Sequence, residues 1–214
     1  MNFWRFIFPP ICQACGKVGA WLCEFCLADI EFFPNPIKLD ASLMALNGAQ
    51  AITYLQSPMR ELIKALKYKK YPAIGQWLGE WVLDVIRPPP VDFISWVPLH
   101  ATKQKWRGFN QSEIIARALA KKLALPCGNL IQKIAATSPQ AQVLNKETRL
   151  THLNEMFQLT PMFNKSENLT WLKTKRILLI DDVITTGSTL NAVSLPLKTA
   201  GCLEVHGLAI AHGQ

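Results

Sequence analysis

Two carboxylates and a run of small hydroxyl residues stand close together in residues 176–189, RILLIDDVITTGST. When ionised, Asp181 and Asp182 only accept hydrogen bonds, which suits the vicinal hydroxyls of a ribose. Thr185, Thr186, Gly187, Ser188 and Thr189 follow, small residues that let a ligand approach the backbone. A stretch of this kind opening a helix makes an anion site. Its backbone N–H groups and the positive end of the helix dipole act on the same ligand. A hydroxyl-pair acceptor beside a phosphate cradle is what a ribose 5-phosphate requires. Asp, Thr and Ser are also ordinary helix caps, so the weight lies on their order and not on any one of them.

The elements that must position these groups flank them. Ile177–Ile180 is an unbroken apolar run, the pattern of a central parallel strand buried on both faces. Leu190, Val193 and Leu197 then fall at helical spacing. Pro196 lies within that helix and is expected to kink it or end it early, with Gly201 as C-cap. Open α/β sheets bind ligands at the carboxyl ends of their strands, where this order puts the acids and the loop. Apolar strand, two acids and T-T-G-S-T together resemble the phosphoribosyl-pyrophosphate (PRPP) motif of type I phosphoribosyltransferases. The resemblance implies that Asp181 and Asp182 hold the ribose and that Thr185 to Thr189 hold the 5′-phosphate.

A second set of chemistry-bearing residues is Cys12, Cys15, Cys23 and Cys26, two C-x₂-C pairs separated by seven residues. Four thiolates satisfy a tetrahedral zinc. The gap is shorter than the roughly 15–20 residues of common four-cysteine sites, so the unit must be compact, and Gly16 and Gly19 allow tight turns. Disulfides belong to oxidising compartments, for which nothing in the sequence argues. A redox C-x-x-C needs no second copy. The expectation is a structural, closed zinc site. Pro34 and Pro36, in a stretch without periodicity, mark a linker. This divides the chain into a zinc-binding module with its linker, 1–40, and a main domain, 41–214.

At 214 residues the chain suffices for one domain and a small appendage. No apolar run approaches the ~20 residues of a membrane span. The aromatic start, Met1 to Pro10, is too short for a signal peptide, so a cytoplasmic location without membrane insertion is expected. The formal charge is +8. Residues 1–40 hold three basic against four acidic residues, which leaves +9 on the rest. A basic main domain favours polyanions such as PRPP, pyrophosphate or nucleic acid, although a soluble surface can be equally basic.

In chain order, Ala49–Leu55 reads as a strand. Met59, Leu62, Ile63 and Leu66 form a helical stripe, with Arg60, Lys64 and Lys67 on another face and Lys69 and Lys70 beyond. That basic run is a solvated face or an anion-binding edge, with Lys67 as the leading candidate. Ile74, Trp77, Leu78, Trp81, Val82 and Val85 define an amphipathic helix that ends before Pro88, both tryptophans packing in the core. Asp92–Val97 is a second strand, followed by Pro98, Leu99, His100 and a basic loop with Lys103, Lys105 and Arg107. The next helix carries Ile115, Ala118, Leu119 and Leu123 on one side, with Asn110 and Glu113 at capping-box spacing. A basic loop after a second strand end could face the phosphate site across a cleft. His100, Lys103, Arg107 and Asn110 therefore join Lys67 as candidates for a pyrophosphate. Leu130–Ile134 reads as a strand, 137–147 as an exposed mobile loop, 161–175 as a surface connection and Val205–Ala211 as the last strand.

The segments V-P-L-H (97–100) and R-G-F-N-Q-S (107–112) narrow the resemblance. With the cysteine pairs, Leu66-Lys67-Tyr68 and the acidic motif, they resemble the ComF family (the ComFC/GntX group) of phosphoribosyltransferase-like proteins. Gln140, Leu144, Arg149, Asn154 and Phe157 resemble a further block of that family. Lys103 departs from the family's usual arginine, keeping the charge without the bidentate fork. The resemblance implies an α/β fold: a type I phosphoribosyltransferase-like parallel sheet with flanking helices, plus a small zinc-ribbon-like module. It implies PRPP with Mg²⁺, a lid near 130–160 or 103–110, and a part in natural transformation. There the chain would handle single-stranded DNA beside a competence translocase. The alternative is an active transferase moving ribose 5-phosphate from PRPP to a base or amine. Such chemistry needs positioning and electrostatics rather than a nucleophile. Neither a nucleophile–base pair nor a base-binding hood is recognisable in the sequence.

Overall fold

The computed structural model describes residues 9–34, 36, 37, 39, 45–134 and 153–213. A parallel sheet organises them. Strands β1 (Gly48–Tyr54), β2 (Phe93–Trp96), β5 (Arg176–Ile184) and β6 (Glu204–His212) lie in the order β1-β6-β5-β2. Helices cover both faces: α2 (Met59–Tyr68), α3 (Pro72–Val85) and α5 (Gln111–Leu123) on one, α6 (Ser166–Leu172) and α7 (Ser188–Thr199) on the other. Strand alternation explains the two cores. Leu178 and Ile180 pack with Leu62, Leu66, Leu78 and Leu119, whereas Ile177 and Leu179 pack with Leu190, Val193 and Leu197. The run Ile177–Ile180 is apolar throughout because both of its faces are buried. A separate antiparallel pair, β3 (Ile131–Lys133) with β4 (Phe157–Leu159), joins the second core through Ile131 and Phe157. No described helix is long and apolar enough to cross a membrane.

Register decides where the acidic pair sits. Pairing between β2 and β5 runs from Phe93↔Ile177 to Trp96↔Ile180 and then stops, whereas β5 continues beside β6 to Ile184↔His212. Asp181 and Asp182 are thus the first residues of β5 beyond the end of β2. The far end of this strand pair is held by Asp92, whose carboxylate accepts two bonds from the Arg176 guanidinium (3.0 and 3.1 Å) and one from its N–H (2.9 Å). Helices α3 and α5 cross closely at Gly79, where a Cβ would lie 2.4 Å from the Ile115 carbonyl oxygen.

Several expectations change. The basic stretch after β2 is not a loop but a helix, α4 (Ala101–Arg107), capped by His100, whose Nδ1 accepts from the Thr102 N–H at 3.3 Å. The stretch 161–175 is likewise more than a connection: a 3₁₀ turn (Pro161–Asn164) leads into α6, and Phe163 and Leu172 are buried. Pro196 does not end α7, which continues to Thr199 and stops with Gly201 at φ 91°, as expected of a C-terminal glycine. The described residues of the proline-containing linker pair with β1. Phe33 N–H donates to Ile52 O (2.9 Å), Ile37 N–H to Ala49 O (2.9 Å), and Tyr54 N–H to Glu31 O (3.0 Å). The linker thereby covers the free edge of β1, which would otherwise present unpaired backbone. Residues 137–147, with Gln140 and Leu144, and Arg149 beyond them lie outside the described residues, as does the aromatic start through residue 8.

Candidate functional site

The site is built at the tip of β5. Asp181 and Asp182 are both buried, and each is met by a side chain from the first turn of α5. Ser112 Oγ donates to Asp181 Oδ1 at 3.0 Å, and Gln111 Nε2 donates to Asp182 Oδ1 at 3.3 Å. The Asp182 N–H also donates to Asp181 Oδ1 at 2.9 Å. Lys67, on the last turn of α2, forms an ion pair with Asp182. Two carboxylates this close and this buried cannot both ionise freely. Burial, then the charge of Asp182, push the Asp181 carboxyl up to about 8.

Beyond the acids, Gly187 takes a left-handed conformation (φ 82°) that turns the chain into α7. The Thr186 and Ser188 hydroxyls lie 2.8 Å apart, and Asn191 N–H closes the first helical turn on Gly187 O at 2.9 Å. The Ser188 N–H donates to Thr186 Oγ1 at 3.4 Å, and the other leading N–H groups of the helix have no intrahelical acceptor and are available to whatever occupies this loop. A small cavity is lined there by Asp181, Val183, Thr185, Gly187, Ser188 and Thr189. Carboxylate and loop therefore border one concavity, as a ribose phosphate would need.

The other candidates divide. Arg107 is buried and donates to Gln111 Oε1, so it sits one residue behind Asp182. Asn110 is buried under the site: its Oδ1 accepts from Ser112 N–H (3.0 Å) and its Nδ2 donates to Val97 O (2.9 Å). It caps α5 and ties it to the end of β2. Glu113 does not complete a capping box; it accepts from Arg117 at 2.9 Å. His100 caps α4, and Lys103 is exposed on that helix. Gln111 and Ser112 are direct partners of the acids that spacing alone did not single out. Their only signal was membership of R-G-F-N-Q-S, since a contact between residues about 70 positions apart leaves no local pattern.

The four cysteines form a separate centre. The sulfurs of Cys12, Cys15, Cys23 and Cys26 all lie within 4.8 Å of one another, and those of Cys15 and Cys23 are 3.6 Å apart. A tetrahedral four-thiolate zinc at ~2.3 Å needs sulfurs about 3.8 Å apart, so the donor set fits such an ion. Burial raises the Cys12 thiol, but backbone N–H groups of Cys15, Cys23 and Ala14 together outweigh it and bring it down to about 6, whereas burial pushes the Cys26 thiol up. Two knuckles frame the set: the turn through Gly16, whose N–H donates to Cys12 O (2.9 Å), and α1 (Glu24–Ala28), which carries Cys26. The unit is not isolated. Cys12, Leu22, Cys23, Cys26 and Ile30 share one apolar cluster with Leu62, Leu66 and Ile74.

A parallel sheet with an acidic strand tip and a glycine-turned loop at its carboxyl edge defines a phosphoribosyltransferase-like protein. The phosphoribosyl transferase domain family matches residues 110–213, which contain both. Competence protein F of Haemophilus influenzae is 35% identical over 212 residues, covering 94% of this chain and 85% of that protein. The chain belongs to the ComF family of phosphoribosyltransferase-like proteins. It is also similar to the DNA utilization protein YhgH of Salmonella typhi, 27% identical over 156 residues, 69% of this chain and 64% of that one. Among solved structures, a glutamine PRPP amidotransferase from B. subtilis, complexed with ADP and GMP, aligns with a TM-score of 0.46 and 17% identity. That alignment covers 68% of this chain and 30% of that one.

Proposed function

We propose that this chain binds PRPP at the tip of β5 and serves a ComF-type role in DNA uptake, handling single-stranded DNA. The observation that carries the ligand is the shared concavity of Asp181 and the Thr185–Thr189 loop. Asp181 and Asp182 accept from the ribose hydroxyls, and the loop N–H groups take the 5′-phosphate. Lys67, paired with Asp182, and Arg107, bonded to Gln111, would meet the pyrophosphate, with His100, Lys103 and Asn110 as further candidates. Mg²⁺ would come with PRPP and neutralise pyrophosphate charge. The DNA-uptake role is supported by the similarity to competence protein F, and the DNA partner by the excess of positive charge. A competence translocase is the expected neighbour, at the cytoplasmic face. The metal of the four cysteines is zinc, structural and fully ligated by protein. Residues 1–40 are its module, and 41–214 the phosphoribosyltransferase-like domain on which it packs.

The test is genetic and biochemical together. A transformable strain lacking the gene should lose DNA uptake, and wild-type protein, but not Asp181→Asn/Asp182→Asn expressed at the same level, should restore it. Full transformation without the gene overturns the role. The second reading, an active transferase, is favoured by the same acidic tip and loop. Pyrophosphate release from Mg·PRPP in a pooled-base screen would establish it.

A further inference from the structure

The segment Lys67–Tyr71 (KYKKY) is a basic run that the PRPP site does not account for beyond its first residue. Its members tie three parts of the molecule: the tip of β5, α4 and the cysteine module. Lys67 pairs with Asp182. The Tyr68 ring lies under the Arg107 guanidinium, 6.0 Å from its centroid. Lys69 Nζ donates to Gln13 Oε1 in the cysteine module at 3.1 Å. Lys70 Nζ sits over the Trp106 ring at 5.6 Å. The Tyr71 ring lies 5.8 Å from that of Trp21, also in the cysteine module. The segment therefore runs from the acidic pair to the zinc-type centre.

Two features show that this is a surface built to meet something. Tyr68 and Trp106 are 62% and 59% exposed, so two large rings stand in solvent, Tyr68 paired with Arg107 of α4 and Trp106 with Lys70 just past α2. Lys70 takes the left-handed backbone (φ 58°) that commonly ends a helix, just past α2, and there its ammonium is aimed at Trp106. Exposed flat rings interleaved with cations match one class of ligand: a chain of phosphates with unpaired bases. Bases stack on rings without regard to sequence, and cations track the backbone. Duplex DNA hides its faces in its own stack and does not fit.

We propose that Tyr68 and Trp106 are the base-stacking platform for single-stranded DNA, with Lys69, Lys70 and Lys105 following its phosphates between the zinc module and the PRPP site. The proposal rests on the single-stranded DNA reading above and adds where and how the strand binds. Titration of the full-length zinc-loaded protein with oligothymidylate, read by tryptophan fluorescence and fluorescence anisotropy across a salt series, tests it. Trp106→Ala and Tyr68→Ala are each expected to weaken binding roughly 5- to 150-fold, the loss of one base stack. Trp106→Phe should retain most of the affinity. Lys70→Ala should lower the salt slope by about 0.7, one phosphate contact. A duplex of matching length should bind more weakly than the single strand. Undiminished affinity in a folded Tyr68→Ala/Trp106→Ala double variant, judged by an unchanged melting temperature and zinc content, overturns the platform alone. Absence of binding by wild type overturns the DNA reading itself.

Discussion

The Lys67 ammonium and the Asp182 carboxylate form an ion pair that fastens the last turn of α2 to the tip of β5. Lys67 is the leading candidate for an anion contact by sequence, and the anion it meets in the structure is the protein's own carboxylate. Any ligand that needs Asp182 must share it with Lys67 or release it. Asp182 is almost fully buried while Lys67 is 21% exposed, so the pair is asymmetric. Removing the lysine strands a buried charge, whereas removing the acid leaves a lysine that can reach water.

Lys67→Met should therefore destabilise the protein by about 2–4 kcal/mol, the cost of breaking a buried pair from its partly exposed side. Lys67→Met/Asp182→Asn should recover much of that loss. Urea denaturation of the two single variants and the double variant checks this. A double variant no more stable than Lys67→Met would show that the ion pair is not what couples these positions.

Asp181 yields a pH prediction. Its folded pKa is raised to about 8, above the ~3.9 of an unfolded aspartate. Between these values the folded protein holds a proton that the unfolded chain has lost, so this group makes stability fall as pH rises from about 4 to 8. Asp181→Asn should remove that decline and be relatively more stable at pH 8 than at pH 4. Parallel stability–pH curves for wild type and variant would contradict the assignment.

Asp92 has the opposite sign. The hydrogen bonds from Arg176 hold its carboxyl down to about 2. The bracket should stabilise fully above pH ~4 and lose its contribution as pH falls through about 2. Asp92→Asn should be less stable than wild type at pH 7, with the gap closing towards pH 2. The side chains are each about one-third exposed, so the gap at pH 7 should also shrink in high salt.

The sheet was largely readable from local pattern. Ile177–Ile180 and the stripe from Ile74 to Val85 are long and periodic, and they became β5 and α3. Helix α4 was not readable, because A-T-K-Q-K-W-R has no apolar stripe. Its conformation comes from the His100 cap and the docking of Arg107 on Gln111. The path of the linker is not readable from local pattern either: the free edge of β1 gives the Phe33 and Ile37 N–H groups a partner, which nothing around Pro34 signals. At the site, residue types and order located the acids and the loop. The partners Gln111 and Ser112 depend on the register that brings the start of α5 to the end of β2, which no window of sequence contains.

The cysteine centre leads to a prediction about the whole fold. Purified protein should carry about one zinc per chain by elemental analysis. Because Cys12, Cys23 and Cys26 share a cluster with Leu62 and Leu66, Cys26→Ser should lose the metal and lower the melting temperature of the entire chain. An unchanged main transition would mean that the module is energetically separate.

The claim that PRPP occupies the tip of β5 is tested most directly by thermal unfolding with and without Mg·PRPP. At ligand concentrations near a hundred times Kd, binding adds about 2.7 kcal/mol, which should raise the wild-type melting temperature by roughly 5–10 °C. Asp181→Asn/Asp182→Asn, referred to its own ligand-free value, should show little or no rise. A wild-type transition that PRPP does not move, or an equal rise in the double variant, would contradict the assignment.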